Sequence, residues 1–347
     1  MNLPDDMLAI EISAPGGPEV LKPVRLPMPR PAGGEVLVRV AAAGVNAPDL
    51  GQRRGTYNPP PNASPLPGLE VAGVIAALGE GVAGFTPGER VVALTNGGGY
   101  AEYVSVPAGQ VLPAPAGWSL IDAAALPETF FTIMQTLVMR AGLEPGMSVL
   151  IHGAAGGLGS AAIQIVKLLG ARPIAVVSSD EKARYCCGLG AAKVIIHTRE
   201  DVLARTLELT GGRGADRILH MTGGESLVRD IDASARGGHI VLVASLTGEV
   251  SPIGAGKLVM KQLTLSGSTL RPQDAATKTA IAVRLRRDIW PALEDGRIIP
   301  PRVMTFPFVD AAAAHAQLER RETYGKLVLV TAFGATVAET VSARQSD

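Results

Sequence analysis

A glycine-rich segment of the chain combines residue types and a spacing that could hold a phosphate. Residues 149–160, VLIHGAAGGLGS, are a short apolar run that ends in closely spaced glycines. Gly156 and Gly159 match the second and third glycines of the G-x-G-x-x-G pattern, whereas Ala154 stands at the first position. Small residues there let the backbone approach a pyrophosphate and let a helix pack closely on a strand. Alone, the pattern also fits a simple tight turn between strand and helix.

The residues that follow the second predicted strand bear on which dinucleotide would bind. NAD-selective sites usually carry an acid there, about 20 residues past the glycines, that binds the ribose hydroxyls. This chain reads VVSSDEK, so Ser178 and Ser179 stand at the strand end and Asp180 comes slightly late. Hydroxyls together with Lys182 suit a 2′-phosphate and favour NADPH. Two points stay open. Lys182 also fits an ordinary solvated charge on the helix, and Asp180 leaves the strength of the preference for NADPH over NADH undetermined.

The elements around these residues alternate between strand and helix from about residue 126 to 269. The predicted strands are SVLIH (148–152), PIAVV (173–177), KVII (193–196), RILHM (217–221), HIVLVA (239–244) and LTLSGS (263–268). Such alternation predicts a parallel sheet with helices on both faces. The glycine segment then follows the first strand and opens the first helix, which favours a dinucleotide site over a bare turn.

The flanking sequence has a different pattern. Residues 1–125 contain short β-like runs separated by Gly and Pro, which predicts a compact barrel or sandwich. From about residue 270, a helical stretch (275–295) leads to the strand GKLVLV (325–330), and this part is expected to return to the first domain. For residues 331–347, an extended tail and an extra helix both remain open.

Composition excludes several classes of function. The 347 residues carry 32 basic and 32 acidic side chains, so no basic field favours nucleic acid or an anionic membrane. The N-terminus lacks the pattern of an export signal, and no apolar run reaches the roughly 18 residues of a membrane span. The adjacent Cys186 and Cys187 are expected to be reduced thiols with a packing role. These features predict a soluble, cytoplasmic globular protein with no nucleic-acid or membrane partner.

From about residue 8 to 330, the chain resembles the medium-chain dehydrogenase/reductases. Within this family it is similar to the zinc-independent quinone oxidoreductases, the zeta-crystallin branch, and particularly to the p53-inducible type. The matching segments are GVNAPDLGQRRGTYNPPP, LPGLEVAGVI, GGGYAEYVSVPAGQVLP, ALPETFFT, HGAAGGLGSAAIQ, LTGGRGAD and GSTLRP. The resemblance implies an α/β chain with a GroES-like β-barrel catalytic domain (1–125, completed by 270–347). It also implies a Rossmann doubly wound parallel-sheet domain that binds NADP (126–269).

We expect no metal site. In the alcohol dehydrogenase relatives, a Cys and a His hold the catalytic zinc at the positions of Asn46 and Leu69 here. Two cysteines cannot form a four-cysteine zinc lobe, and the five histidines are scattered along the sequence. Without a metal, catalysis would rest on hydride positioning and on electrostatics around the acceptor. That suits reduction of a quinone or an activated C=C bond better than alcohol oxidation, which wants a metal or a base.

The resemblance also implies roles for individual residues. Asn46 is expected near the nicotinamide ribose or the acceptor oxygen, and Tyr57 near the substrate carbonyl. The alternative for Tyr57 is packing on prolines 59–61, and Gly51 replaces a second tyrosine of some relatives, which implies a wider pocket. Lys326 is expected either near the cofactor or as a simple strand-edge lysine. The expected cofactor-binding residues are Thr132, Ala154, Gly156, Gly157, Leu158, Gly159, Ser178, Lys182, His197, Ser245, Leu246 and Thr269; an ordinary surface histidine remains the alternative for His197.

Three functions follow as hypotheses. The first is an NADPH-dependent reductase of quinones or reactive enones. The second is an enoyl-thioester reductase, in which Tyr57 would donate a proton and Arg53 and Arg54 would help to bind a carrier phosphate. The third is a non-enzymatic, cofactor-bound structural or RNA-binding protein. The resemblance further implies a homodimer formed by pairing the strand QLTLSGS at the edge of the Rossmann sheet.

Overall fold

The computed structural model describes residues 3–61, 63–245, 248 and 250–344. Its strands are β1 (Asp6–Ile12), β2 (Leu21–Pro27), β3 (Glu35–Val45), β4 (Glu70–Leu78), β5 (Arg90–Leu94), β6 (Tyr103–Pro107), β7 (Val111–Pro113), β8 (Ser148–Ile151), β9 (Arg172–Val177), β10 (Lys193–Ile196), β11 (Ala215–His220), β12 (Ser234–Leu242), β13 (Thr264–Gly267), β14 (Val303–Pro307) and β15 (Lys326–Val330). Its α-helices are α1 (Ala47–Arg53), α2 (Leu120–Ala123), α3 (Pro127–Ile133), α4 (Gly157–Leu168), α5 (Asp180–Gly188), α6 (Val202–Leu209), α7 (Glu225–Ala233), α8 (Ala255–Lys261), α9 (Ala275–Asp288), α10 (Trp290–Glu294), α11 (Ala311–Glu319) and α12 (Ala332–Arg344). Helix α3 continues into a π-helical segment, Met134–Arg140.

The described residues form two compact units. Unit 1 comprises Met1–Phe131, Arg271–Glu294 and Pro300–Asp347, and unit 2 comprises Thr132–Leu270 and Asp295–Ile299. Each unit has a sheet of its own.

Unit 1 is built around the long strand β3. Its sheet has the order β14-β15-β3-β4-β5-β7, and β6 also pairs with β3. All of these pairings are antiparallel except β14 with β15, while β1 and β2 form a separate antiparallel pair. Val36, Val38 and Val40 of β3 are fully buried and contribute alternate side chains to one hydrophobic core. The sequence prediction of closely packed short β-strands in this part of the chain is confirmed.

Unit 2 contains a six-stranded sheet of parallel strands in the order β10-β9-β8-β11-β12-β13. This is the strand order 3-2-1-4-5-6 of a doubly wound sheet, with its switch point between β8 and β11. Leu150, Ile174 and Ile218 lie in register on neighbouring strands and are buried in its core. The predicted Rossmann fold is confirmed, and the carboxyl ends of these strands form the edge where ligands bind in such sheets.

Three smaller features of the described residues bear on what the sequence predicted or left open. The segment after β15 is helical: α12 begins after Thr331, whose side-chain oxygen accepts the N–H of Gly334 at 3.1 Å. Cys186 is buried and Cys187 exposed, neither is in a disulfide, and burial raises the pKa of Cys186 to about 12. Among the described residues, no helix is both long and apolar enough to cross a membrane.

Candidate active site

The glycine segment of unit 2 links β8 to α4 and gives its two motif glycines different structural roles. Gly156 is the N-cap of α4, and Gly157 and Leu158 are its first residues. A Cβ on Gly159 would lie only 2.4 Å from Cα of Ala154, so glycine is needed for the helix to pack on the turn. A Cβ on Gly156 would meet no atom closer than the oxygen of Gly153 at 3.4 Å. Gly156 thus leaves space in front of the helix N-terminus, where backbone N–H groups favour a phosphate.

The strand ends beside this turn bring hydroxyl and cationic groups together. Nζ of Lys182 donates to Oγ of Ser178 at 3.1 Å, so this lysine lies against the serine at the end of β9. Ser179 caps α5, its hydroxyl accepting the backbone N–H of Lys182. His197 follows β10 and its backbone N–H donates to the oxygen of Val177. Partial burial, together with positive neighbours, lowers the pKa of His197, which favours its neutral form.

Asp180 forms an ion pair with Arg199, a residue that the sequence analysis did not identify. Asp180 is the acid that left the preference between NADPH and NADH open. Arg199 donates to its two carboxylate oxygens at 2.9 and 2.6 Å, and this contact lowers the pKa of Asp180. The Asp180 charge is therefore offset by a guanidinium. Arg199 comes two residues after His197 at the end of the neighbouring strand. The order of strands in a doubly wound sheet is the signal that would have placed the residues after β10 beside those after β9, and so Arg199 near Asp180.

The remaining candidates of unit 2 also follow strand ends or lie on α3. Thr132 is partly buried on α3, and its backbone oxygen accepts the Thr136 hydroxyl at 2.6 Å. Ser245 is exposed after β12, and Thr269 is exposed after β13. Leu246 lies outside the described residues. The candidates at the ends of β8, β9, β10, β12 and β13 therefore share the carboxyl edge of one parallel sheet.

Two of the five histidines, which looked scattered in the sequence, meet at a buried carboxylate. Asp230 on α7 bonds His152 at 2.9 Å through one oxygen and His220 at 2.6 Å through the other. Nε2 of His220 accepts the N–H of Gly223, so its proton is on Nδ1. Although burial raises it, the pKa of Asp230 is lowered on balance by the two histidines. The three ligand-type atoms lie within 4.8 Å of one another, and hydrogen bonds account for this arrangement.

In unit 1, Asn46 lies in a buried ion-pair network at the position that carries a zinc ligand in alcohol dehydrogenases. Its Nδ2 donates to Oε1 of Glu70 at 2.8 Å, and the ammonium group of Lys326 contacts both Asn46 and Glu70. Lys326 is only 4% exposed and β15 lies between β14 and β3, so it is not a strand-edge lysine. Leu69, at the other zinc-ligand position, is 1% exposed.

Two further carboxyl groups lie near this network. Asp49 accepts the N–H groups of Asn46 and Gly68 at 2.9 Å each, and burial raises its pKa to about 6. The backbone N–H of Glu128 donates to Glu70, and burial with the neighbouring Glu70 raises the pKa of Glu128 to about 8. At neutral pH, Asp49 is therefore mainly ionised and Glu128 mainly a neutral carboxylic acid. Sequence reasoning missed Glu128, although it stands in the matching segment ALPETFFT.

Tyr57 is half-buried in the turn that follows α1, directly over Gly51. A Cβ on Gly51 would lie 2.9 Å from Cβ of Tyr57, so a tyrosine at position 51 would collide with the present Tyr57. Burial and the nearby Glu128 raise the pKa of Tyr57, an effect that Arg271 partly offsets. Its hydroxyl is thus a neutral hydrogen-bond donor at physiological pH. The guanidinium carbon of Arg271 lies 5.8 Å from the centre of the tyrosine ring.

The Pro-rich loop after Tyr57 lines a cavity of about 590 Å³ within unit 1. Its walls include Pro60, Pro61 and Ser64 of the loop, and also Asn96 and Arg271. The Pro-rich loop therefore forms part of the wall of this cavity. Tyr57 is not among the lining residues of this cavity.

Arg53 and Arg54, which the sequence offered as a phosphate-binding pair, are both engaged by Glu319. Arg53 is 1% exposed, donates to the oxygen of Gly16 at 3.1 Å and forms an ion pair with Glu319. Arg54 contacts the same carboxylate oxygen at 2.6 Å. The structure therefore uses these two arginines to hold α1 against α11.

Two family models match the chain: the alcohol dehydrogenase GroES-like domain over residues 32–116, and zinc-binding dehydrogenase over residues 157–284. A quinone oxidoreductase from Lama guanicoe is 34% identical over 330 residues, which cover 93% of this chain and 97% of the relative. A solved NAD-dependent alcohol dehydrogenase is 35% identical, with a TM-score of 0.83, and covers 93% of this chain and 99% of its own. The crystal structure of the Escherichia coli quinone oxidoreductase complexed with NADPH is 31% identical, with a TM-score of 0.81 and coverage of 93% and 99%.

Proposed function

Because this chain belongs to the zinc-independent quinone oxidoreductases of the medium-chain dehydrogenase/reductase family, we propose that it reduces quinones or activated α,β-unsaturated carbonyls with NADPH. The similarity extends over almost the full length of the relatives. The observation that carries the proposal for this chain is the cluster of donors at the ends of β9 and β10. It fits the 2′-phosphate that distinguishes NADPH from NADH.

The residues of unit 2 fit NADPH in two respects. The turn at Gly156 leaves space for a pyrophosphate at the N-terminus of α4. Ser178, Lys182 and Arg199 offer hydroxyl, ammonium and guanidinium donors for a phosphate, while Asp180 is already paired. The solved relatives include one named NAD-dependent and one complexed with NADPH, so these side chains are the basis for choosing NADPH here. When bound, NADPH supplies the hydride.

The residues of unit 1 fit a carbonyl acceptor. The neutral hydroxyl of Tyr57 can donate a hydrogen bond to a quinone or enone oxygen and orient it. Asn46 is held rigidly by Glu70 and Lys326, which suits a positioning role. Alcohol oxidation would need a base to take the hydroxyl proton. The raised pKa values of Tyr57 and Glu128 make both groups poor bases for that purpose at neutral pH, because one stays a phenol and the other mainly a carboxylic acid.

The enoyl-thioester reductase remains a weaker candidate for this chain. That activity would use basic side chains near the pocket loop to bind a carrier phosphate. Arg53 and Arg54 instead contact Glu319, which offsets one of their two positive charges and holds both side chains. The relatives named quinone oxidoreductases likewise favour an enzyme over a purely structural or RNA-binding role.

We also propose a cytoplasmic homodimer that pairs the β13 strands of two copies. β13 is the last strand of its sheet, so one edge carries backbone groups without a neighbouring strand among the described residues. The adjacent helix α8 exposes Val259 and Met260, each at 73%. Light scattering coupled to size exclusion tests the dimer, and a lysine in place of Leu265 on β13 is expected to yield monomers.

The function is tested by initial rates of NADPH and NADH oxidation with an ortho-quinone, a para-quinone and crotonyl-CoA. Wild type, Tyr57→Phe and the control Tyr324→Phe are compared. Fast ortho-quinone turnover with NADPH, reduced mainly through a higher KM in Tyr57→Phe, supports the proposal and the role of the tyrosine in binding. Saturation of crotonyl-CoA that collapses in Tyr57→Phe would instead identify an enoyl reductase with Tyr57 as proton donor.

A further inference from the structure

Two buried cations of unit 1 contact only neutral oxygen atoms. Arg271 is 4% exposed and Lys278 is fully buried. Nε and Nη2 of Arg271 donate to the backbone oxygen of Asn96, and Nη1 donates to the side-chain oxygen of Gln52 at 2.8 Å. Nζ of Lys278 donates to the backbone oxygen of Arg271 at 2.7 Å and to the side-chain oxygen of Asn96. Neither cation forms an ion pair with any acid in the part of the chain that the structure describes.

Such an arrangement is unusual, because a buried charge is costly unless a counter-charge lies beside it. Lys278 stays mostly protonated at neutral pH, since burial lowers its pKa only to about 8, and arginine keeps its proton in any case. Of the acids that act on Arg271 through space, Asp49 already accepts two backbone N–H groups. Glu128 is mainly neutral at this pH. Among the described residues, the two cations therefore have no acid in direct contact: the ionised Asp49 acts on Arg271, and Asp274 acts on Lys278, only through space.

The guanidinium of Arg271 is also held in one orientation. A guanidinium carries five N–H groups, and the three bonds above leave two of them without an acceptor within the described residues. Gln52 is fixed in turn by donating to the oxygen of Pro65 in the Pro-rich loop. Gly97 makes room for the arginine, because a Cβ there would lie 2.9 Å from Nη2. The group is thus preorganised, and it lies beside the ring of Tyr57.

We propose that Arg271 binds the oxyanion that forms on the acceptor during reduction, and that Lys278 is a positioning residue that holds Arg271 in place. The inference rests on the proposed function. Bound NADPH would supply a hydride to one carbonyl oxygen of the quinone, so that a C–H bond of the dihydronicotinamide breaks, an O–H bond forms and NADP⁺ remains. The electron pair then lies on the second carbonyl oxygen, which becomes a phenolate. A proton from solvent then completes the hydroquinone. Preorganised donors aimed at developing charge stabilise it without reorganisation at the moment of reaction.

Steady-state rates with neutral 1,4-naphthoquinone and with an anionic naphthoquinone sulfonate test the proposal. Arg271→Gln is expected to lower kcat for the neutral quinone about 100-fold with little change in KM, by analogy with removal of an oxyanion donor. Arg271→Lys restores part of the rate, and Lys278→Met produces a smaller loss of kcat. Arg90→Gln is the matched control, because Arg90 also donates to a backbone oxygen, that of Trp118. The kcat of this control variant is expected to equal that of wild type. A defect confined to KM for the sulfonate would overturn the proposal, since it would mean a site for a permanent anion.

A binding measurement separates this role from a structural one. Calorimetry of the NADP⁺-loaded enzyme compares 2,4-dinitrophenolate, an aromatic oxyanion at neutral pH, with the neutral 2,4-dinitroanisole. Arg271→Gln weakens phenolate binding at least tenfold and leaves anisole binding unchanged, with thermal unfolding confirming that the variant is folded. Equal losses for both probes would refute the inference. If wild type reduces no quinone, the proposed function fails; if wild type does and Arg271→Gln matches it, only this inference fails.

Discussion

The ammonium nitrogen of Lys326 lies 2.5 Å from Oε1 of Glu70, and both side chains are almost completely buried. Asn46 bonds to both members of the pair, so the three side chains form one buried network. Direct contact with Glu70 neutralises the charge of Lys326, whereas the hydrogen-bond partners of Arg271 within the described residues are all neutral oxygens.

Replacement of one partner of this ion pair is expected to destabilise unit 1 strongly. Lys326→Met leaves the Glu70 carboxylate buried without its counter-ion, and such changes cost about 3–5 kcal/mol. The double variant Lys326→Met/Glu70→Gln recovers part of that loss because the unpaired charge is gone. Chemical denaturation provides the free energies of unfolding. The exposed pair Arg25–Asp6 is the control, with a loss under about 1 kcal/mol for Arg25→Met, and strictly additive losses at 326 and 70 would contradict the explanation.

Arg199 is expected to set the preference for NADPH. Arg199→Ala removes a phosphate donor and also leaves Asp180 free to repel the 2′-phosphate, so the dissociation constant for NADPH rises about fivefold to tenfold. NADH, which lacks that phosphate, is affected much less. Cofactor fluorescence titrations at low ionic strength measure both constants. Arg205→Ala is the control because Arg205 pairs with Glu200 and Glu208 instead, and an equal loss for the two cofactors would refute the assignment.

The two motif glycines are expected to fail in different ways when changed to alanine. Gly159→Ala forces a Cβ to within 2.4–2.6 Å of backbone atoms of Ala154, so folding of unit 2 is impaired and its melting temperature falls. Gly156→Ala meets no such contact and leaves the melting temperature nearly unchanged, but the methyl group weakens NADPH binding. Thermal unfolding and cofactor titration on both variants distinguish the two effects. Identical profiles would show that the glycines do not divide the roles in this way.

His315 is expected to make unit 1 sensitive to acid. It is buried between Arg53 and Tyr100, and burial, reinforced by Arg53, lowers its pKa from 6.5 to about 3. Below pH 6.5 the unfolded chain therefore binds a proton that the folded chain does not, so stability falls as the pH is lowered toward about 3. This pH dependence is tested by the melting temperatures of wild type and His315→Gln, measured between pH 6.5 and about 3. The difference between them should change with pH, and a constant difference would exclude His315 as the cause.

Local patterns in the sequence predicted the parallel sheet of unit 2 and the sheet edge that carries several candidate residues. The alternation of strands and helices predicted the parallel sheet of unit 2, because strand and helix periods are properties of short segments. The glycine segment was placed correctly between β8 and α4 for the same reason. Ser178, Lys182 and His197 could be assigned to one sheet edge, since the carboxyl ends of parallel strands always share it.

Contacts between distant segments could not be predicted in this way. Asp180 and Arg199 are 19 residues apart, Gln52 and Arg271 are 219 apart, and Asn46 and Lys326 are 280 apart. Their pairing depends on which strands and loops become neighbours, and no periodicity records that. The same holds for Glu128, whose raised pKa comes from burial and from Glu70, 58 residues away.

By itself, the sequence determined the two fold types, the dinucleotide turn and the lack of thiolate and imidazole at positions 46 and 69. Only the tertiary structure decided which charges are neutralised and which are not. It pairs Lys326 with Glu70 and Asp180 with Arg199, but surrounds Arg271 with neutral oxygens. The physical reason is that local conformation follows from neighbouring residues, whereas the electrostatic energy of a buried group depends on everything packed around it.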